Sequence, residues 1–211
     1  MRIIKALILA LQVSSAVAGS YDDMLGAIQK DDIPTVEALL SRGIDVDTTD
    51  PDANTLLMLA IRENRTAMAK RLLQAHAKLD ARNRYGETAL MLAAAEGNLE
   101  LVKLLADHGA RTSFSGWNPL IYAAWRGQTE VVKYLLDKGA DIDAVSPDGV
   151  SALMMATRDG HMETVRLLLW EVADPNIRSR SGATALDWAL KAGNKEIAEL
   201  LKQAGAEEST K

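Results

Sequence analysis

The chain is 211 residues long, 48% apolar but only 4% aromatic, and carries a formal net charge of −5. That length suits one domain of ordinary size or two small ones, and the acidic balance, without a dense run of Lys or Arg, argues against a nucleic-acid backbone as the main partner. The absence of cysteine excludes disulfides, thiolate metal sites, cysteine nucleophiles and a lipid-modified cysteine anchor.

The first residues, MRIIKALILALQVSSAVAGS, have the layout of a secretory leader. Arg2 and Lys5 form a basic start, Ala6 to Val17 an apolar stretch, and Ala16-Val17-Ala18 a small-residue cleavage site. Cleavage is expected after Ala18, giving a signal peptide over 1–18, with Ala16 as the alternative site. The alternative is an uncleaved membrane anchor, for which the apolar stretch is short and interrupted by Gln12, Ser14 and Ser15. Removing Arg2 and Lys5 from a chain of −5 leaves −7. The expected address is periplasmic or secreted, with no membrane contact once the leader is gone.

From residue 19 the chain repeats itself. GETALMLAAAEGN at Gly86 returns as GWNPLIYAAWRGQ at Gly116, GVSALMMATRDGH at Gly149 and GATALDWALKAGN at Gly182. Worn copies start at Ala53 (ANTLLMLAIRENR) and around DDMLGAIQKDD. The equivalent alanines are Ala27, Ala60, Ala93, Ala123, Ala156 and Ala189, spaced by 33, 33, 30, 33 and 33 residues. A fixed period in this range marks a solenoid. Each unit carries a second segment with apolar residues at helical spacing, from PTVEALLSRG to EIAELLKQAG. The sequence therefore predicts six helix-turn-helix units over 19–206 and a short polar tail over 207–211.

The punctuation agrees. Asp22, Thr55, Thr88, Asn118, Ser151 and Thr184 precede the first helices and are all competent N-caps. Pro119 suits a first helical position. Gly43, Gly109, Gly139 and Gly205 suit the left-handed residue that ends a second helix. His76 and Val172 stand at that place in the other two units. Val172 fits poorly because a β-branched residue resists positive φ, so that helix is expected to end differently or under strain.

GETALMLAAAEGNLELVKLLADHGA closely resembles the ankyrin repeat, G-x-T-P-L-H-x-A-A-x-x-G followed by V-x-x-L-L-x-x-G-A. The resemblance covers about residues 21 to 206 and implies an all-α ankyrin-repeat solenoid of six units with short β-turn connectors. One departure stands out: the family's histidine is replaced by Leu25, Met58, Met91, Ile121, Met154 and Asp187. Apolar packing is expected to take over from any hydrogen-bond network it makes. The polar first and last units read as caps.

Catalytic chemistry has no foothold. His76, His108 and His161 occupy three different repeat positions without metal-ligand spacing. There is no phosphate loop, nucleophile elbow or H-E-x-x-H motif. The aspartates of DVDTTDPDAN lack the Gly and bidentate Glu of a calcium loop and read as turn residues. A hydrolase built on Glu96 and Asp159 would have no nucleophile and base placed together. No catalytic residue, metal or cofactor is expected.

Four of the nine aromatic residues crowd into FSGWNPLIYAAWRGQ, residues 114–128. The repeat register puts Tyr122 with Leu59, Leu92, Met155 and Trp188, expected to face the core. It puts Trp125 with Arg62, Ala95, Arg158 and Lys191, expected to face solvent. Trp117 falls beside a turn tip and Phe114 in the connector that lost three residues. Trp170 lies on another face and reads as a packing or strain feature.

By resemblance, the turn tips and first helices form a concave surface that binds proteins. Exposed aromatic and Arg side chains are frequent anchors. The candidate contact set is Phe114, Trp117, Trp125 and Arg126, flanked by Tyr85, Glu87 and Glu96 on one side and Arg158 and Asp159 on the other. The alternative is that the short connector folds Phe114 and Trp117 down as filler. The expected function is non-catalytic binding of one protein partner by a monomer. Exported ankyrin proteins of proteobacteria, which the chain resembles, are in some cases linked to oxidative-stress defence. The alternative is an immunity or accessory protein that neutralises a secreted toxin or lipase.

Overall fold

The structure, a computed structural model, describes residues 21–208. The expected leader and the end of the polar tail lie outside the described residues. The chain divides into two compact units, one running to Gly86 and the other from Glu87.

The first unit holds two helical hairpins. Helix α1 covers residues 21–30, followed by α2 (Ile33–Ser41), α3 (Leu56–Arg62) and α4 (Thr66–Gln74). Asp22 is itself helical, so it does not precede the first helix as its repeat position suggests. The second unit holds four hairpins: α5 (Ala89–Glu96) with α6 (Leu99–Asp107), α7 (Pro119–Trp125) with α8 (Thr129–Asp137), α9 (Ala152–Arg158) with α10 (Met162–Trp170), and α11 (Ala185–Ala192) with α12 (Lys195–Gln203). First helices pack on first helices and second on second, α5 to α7 to α9 to α11 and α6 to α8 to α10 to α12. The described residues are all-helical apart from isolated bridges, Thr49 with Thr55 and Val145 with Ser151.

Helices α3, α5, α7, α9 and α11 start where their caps dictate. Thr55, Thr88, Asn118, Ser151 and Thr184 accept hydrogen bonds from the backbone N–H groups of Met58, Met91, Ile121, Met154 and Asp187. Met58, Met91, Ile121 and Met154 are at most 1% exposed, so apolar packing does fill the position of the missing histidine. Asp187 does something else: its Oδ2 accepts from Thr184 N at 2.8 Å and Thr184 Oγ1 at 3.0 Å, closing a capping box.

The core is a set of repeated columns. In the second unit Leu90, Leu120, Leu153 and Leu186 are buried, as are Leu105, Leu135, Leu168 and Leu201 from the second helices; within the first unit Leu57 and Leu72 are buried. A single hairpin cannot cover these side chains, whereas neighbouring hairpins can. Each buried Leu contributes roughly 1.5–3 kcal/mol.

Polar stitches recur at the repeat spacing. The residue before α4, α8 and α10 reaches back to the end of the preceding first helix: Arg65 Nη2 to Gln29 O at 3.3 Å, Gln128 Nε2 to Ala95 O at 3.0 Å, and His161 Nε2 to Trp125 O at 2.9 Å. These bonds satisfy carbonyls that a helix end leaves without partners. They also explain one glycine. A Cβ on Gly127, whose φ is +69°, would strike the His161 ring.

The connector aspartates act as turn residues. Asp45 Oδ1 accepts from Asp47 N, and Asp47 Oδ1 from Lys78 N; Asp141, Asp143 and Asp174 repeat the arrangement in the second unit.

The left-handed positions fall as the repeat predicts. Gly43, Gly109, Gly139 and Gly205 have φ between +83° and +94°, and His76 and Val172 adopt +63° and +67°. Val172 therefore takes the strained of the two outcomes. Trp170 beside it is 83% exposed and Val172 is 81% exposed, so Trp170 is not a packing residue.

Candidate functional site

The outward face of the first helices in the second unit is a grid of four hairpins by four positions, set by the repeat. The third repeat contributes Glu87, Leu92, Ala95 and Glu96; the fourth Trp117, Tyr122, Trp125 and Arg126. The fifth contributes Val150, Met155, Arg158 and Asp159; the sixth Ala183, Trp188, Lys191 and Ala192.

The fourth repeat turns its row into an aromatic strip. Trp117 is the residue before the N-cap Asn118, and Tyr122 is the fourth residue of α7. That spacing makes a hydrophobic staple, and their rings meet edge to face at 5.9 Å and 82°. Trp125 follows Tyr122 by three residues, so the two share a helix face and meet at 6.0 Å and 77°. Edge-to-face contact at these distances suits the ring quadrupoles. Trp117, Tyr122 and Trp125 are all half-buried.

Neighbouring hairpins brace the strip at both ends. The Tyr122 hydroxyl donates to Glu87 Oε1 at 3.2 Å. On the other side the Arg158 guanidinium carbon lies 6.0 Å from the Trp125 ring centroid, a cation–π distance. Arg158 Nε and Nη2 hold both oxygens of Asp159, at 2.6 and 3.1 Å. This fork, reinforced by the Coulomb attraction of Arg158 and His161 and by the Trp125 indole N–H, holds the Asp159 carboxyl below the usual range, although partial burial opposes it. The same fork raises Arg158. Asp159 is an engaged ion-pair partner, which does not suit a general base.

The structure brings together most of the sequence-predicted set and redraws its edges. Seven of the nine residues, Glu87, Glu96, Trp117, Trp125, Arg126, Arg158 and Asp159, fall on the grid. Phe114 is half-buried in the short connector with the Arg111 guanidinium 5.8 Å from its ring. Tyr85 belongs to the first unit and is 69% exposed.

Two expectations about burial change. Trp125 is half-buried instead of open, because Tyr122 and Arg158 cover it. Trp188 is half-buried instead of sealed, because its column (Leu92, Tyr122, Met155, Trp188) runs along the rim of the core. Leu92, Tyr122 and Trp188 are half-exposed and only Met155 is buried. Sequence reasoning therefore missed Tyr122 and Trp188 as surface residues. The polar substitutions that mark an outward column are absent from this one, so only the staple spacing could have pointed to it.

Trp188 lines a shallow apolar depression with Val150, rimmed by Asp148, Ser179, Arg180 and Ser181. Arg180 Nη1 pairs with Asp148 at 3.1 Å, and the Ser179 and Ser181 hydroxyls bond each other at 2.9 Å. Among the described residues no group of three His, Asp or Glu side chains is placed to hold a metal. His161 and His108 spend a ring nitrogen on the carbonyls of Trp125 and Leu104. No described helix is long and apolar enough to cross a membrane.

Comparison with known proteins accounts for the repeat. The family model described as ankyrin repeats in three copies matches residues 24–114, 68–146 and 141–211. An ankyrin repeat protein of Rickettsia bellii is 33% identical over 123 residues, which is 54% of this chain and 35% of that protein. The potassium channel SKOR of Arabidopsis thaliana is 37% identical over 90 residues, 43% of this chain and 11% of the channel. The ankyrin repeat, SAM and basic leucine zipper domain-containing protein 1 of Oryctolagus cuniculus is 40% identical over 63 residues, 30% of this chain and 13% of that protein. The chain thus spans about a third or less of each of these relatives.

Proposed function

Given that the chain belongs to the ankyrin-repeat family, whose repeats generally mediate protein–protein interaction, we propose that it is a non-catalytic binding module. It docks one protein partner on the first-helix face of the second unit, as a monomer, with no cofactor and no nucleic acid. The leader-like start of the sequence, Met1 to Ser20, supports a periplasmic setting.

One observation carries this reading. Trp117, Tyr122 and Trp125 stand in line at 5.9 and 6.0 Å, on a helix whose backbone is itself held by His161. Rigid aromatic anchors of this kind lose little conformational entropy on binding, and Trp, Tyr and Arg dominate binding hot spots. The staple alone explains Trp117 and Tyr122. It does not explain a third large ring at the position of Ala95, nor the exposed Arg126 beside it.

A photo-reactive benzophenone amino acid placed at Arg126 tests the reading against the same probe at Glu163 on the second-helix face. The expected result is one discrete protein adduct from Arg126 and none from Glu163. Equal labelling from the two positions would contradict it.

A further inference from the structure

The proposed interface has a polarity that the aromatic strip alone does not reveal. Its third-repeat end carries the carboxylates of Glu87 and exposed Glu96. Its middle carries one net positive charge, the exposed Arg126, because Arg158 and Asp159 neutralise each other. Its sixth-repeat end holds Trp188 and exposed Lys191. Around the depression itself the charges cancel: Arg180 pairs with Asp148, and the Ser179 and Ser181 hydroxyls bond each other. The floor is Trp188 and Val150. A neutral, largely apolar depression favours an apolar side chain over a charged one, which would give up part of its water for little return.

We propose that the Trp188 depression is an anchor site for a large apolar side chain of an extended peptide segment, whose basic end lies over Glu87 and Glu96. This rests on the protein-binding reading above and specifies its partner. Charge complementarity fixes the direction of the segment, since a basic end meets carboxylates in the third repeat and would meet Lys191 if reversed. Spacing fixes its length. Three hairpin steps separate α5 from α11. Packed helices lie roughly 8–10 Å apart, so the anchors are on the order of 24–30 Å apart. An extended chain advances about 3.3 Å per residue, which sets the basic and apolar side chains about eight residues apart.

The probe is a phage-displayed library of random dodecapeptides selected on the intact protein, with enriched sequences then made synthetically and titrated. The expected sequences carry Lys or Arg about eight positions from a large apolar residue. Their affinity falls about tenfold or more in Trp188→Ala, as for loss of a binding anchor. Ser181→Trp, which plugs the depression from an exposed position and leaves the core intact, gives the same fall. Glu96→Lys weakens binding, and replacing the peptide's basic residue by Glu restores it. Peptides that respond to Trp125→Ala but to neither Trp188→Ala nor Ser181→Trp would overturn the anchor and leave the protein-binding reading standing. Peptides that respond to none of the three would overturn both. Failure to enrich any peptide would overturn the extended-segment partner.

Discussion

Arg158 stacks its guanidinium 6.0 Å from the Trp125 ring of the preceding hairpin while forking onto both oxygens of Asp159. One ion pair thereby fixes the position of the ring that the binding account depends on. Asp159→Asn removes the fork's charge and is expected to loosen Trp125, weakening partner binding severalfold while leaving far-UV circular dichroism unchanged. Unaltered binding would mean that Arg158 needs no fixing.

The same pair gives a pH signature. The Asp159 carboxyl is lowered, chiefly by its hydrogen bonds to Arg158. A lowered folded-state value means that the contribution to stability is present above the unfolded carboxylate range, near 4, and is lost as pH falls through the folded value. The melting-temperature gap between wild type and Asp159→Asn should be largest near neutral pH and close below about pH 4. A gap that widened on acidification would contradict the assignment. The pair is partly solvated, so the gap is expected to be small.

Val172 sits at φ +67° where four other repeats place glycine. A left-handed L-residue costs roughly 1–2 kcal/mol, and Val172 is 81% exposed, so little packing is lost on its removal. Val172→Gly should raise stability by about 1 kcal/mol, seen as a higher urea midpoint with an unchanged slope. A lower midpoint would show that Val172 makes a contact worth more than its strain.

The two kinds of apolar column should separate by mutation. Leu168 is fully buried, and Leu168→Ala is expected to cost about 2–5 kcal/mol. Trp188 is half-exposed, and Trp188→Ala should cost well under the ~3–5 kcal/mol of a sealed tryptophan. Equal losses would mean that the rim column belongs to the core.

That contrast shows what the sequence could and could not reveal. Register, helix pairing and caps were legible because each follows from local chemistry: Thr, Ser or Asn three residues before a free N–H, and glycine at a left-handed end. The site was legible only in part. Trp125 stood out because its column holds Arg62, Arg158 and Lys191. Its half-burial did not, because that depends on Tyr122 and Arg158 closing over it. Trp188 was misplaced because a column of Leu, Tyr, Met and Trp reads as core, although the helix rotation leaves its outer edge wet. Trp170 went the other way: an apolar residue near the end of a second helix reads as packing, yet that turn faces outward.

Gln128 and His161 each tie their own hairpin to its predecessor through one carbonyl. Gln128→Ala should cost about 0.5–1.5 kcal/mol, the net worth of one hydrogen bond. Gly127→Ala should cost more, since it forces a side chain into positive φ and against the His161 ring. The reverse order would show that the stitch matters more than the turn.

The central claim is that Trp125 belongs to a protein-docking face. Its most direct test is affinity purification from whole-cell extract with wild type and Trp125→Ala side by side, after circular dichroism has shown equal helix content. The account predicts one protein retained stoichiometrically by wild type and lost from the variant. Retention of that protein in equal yield by both would contradict it.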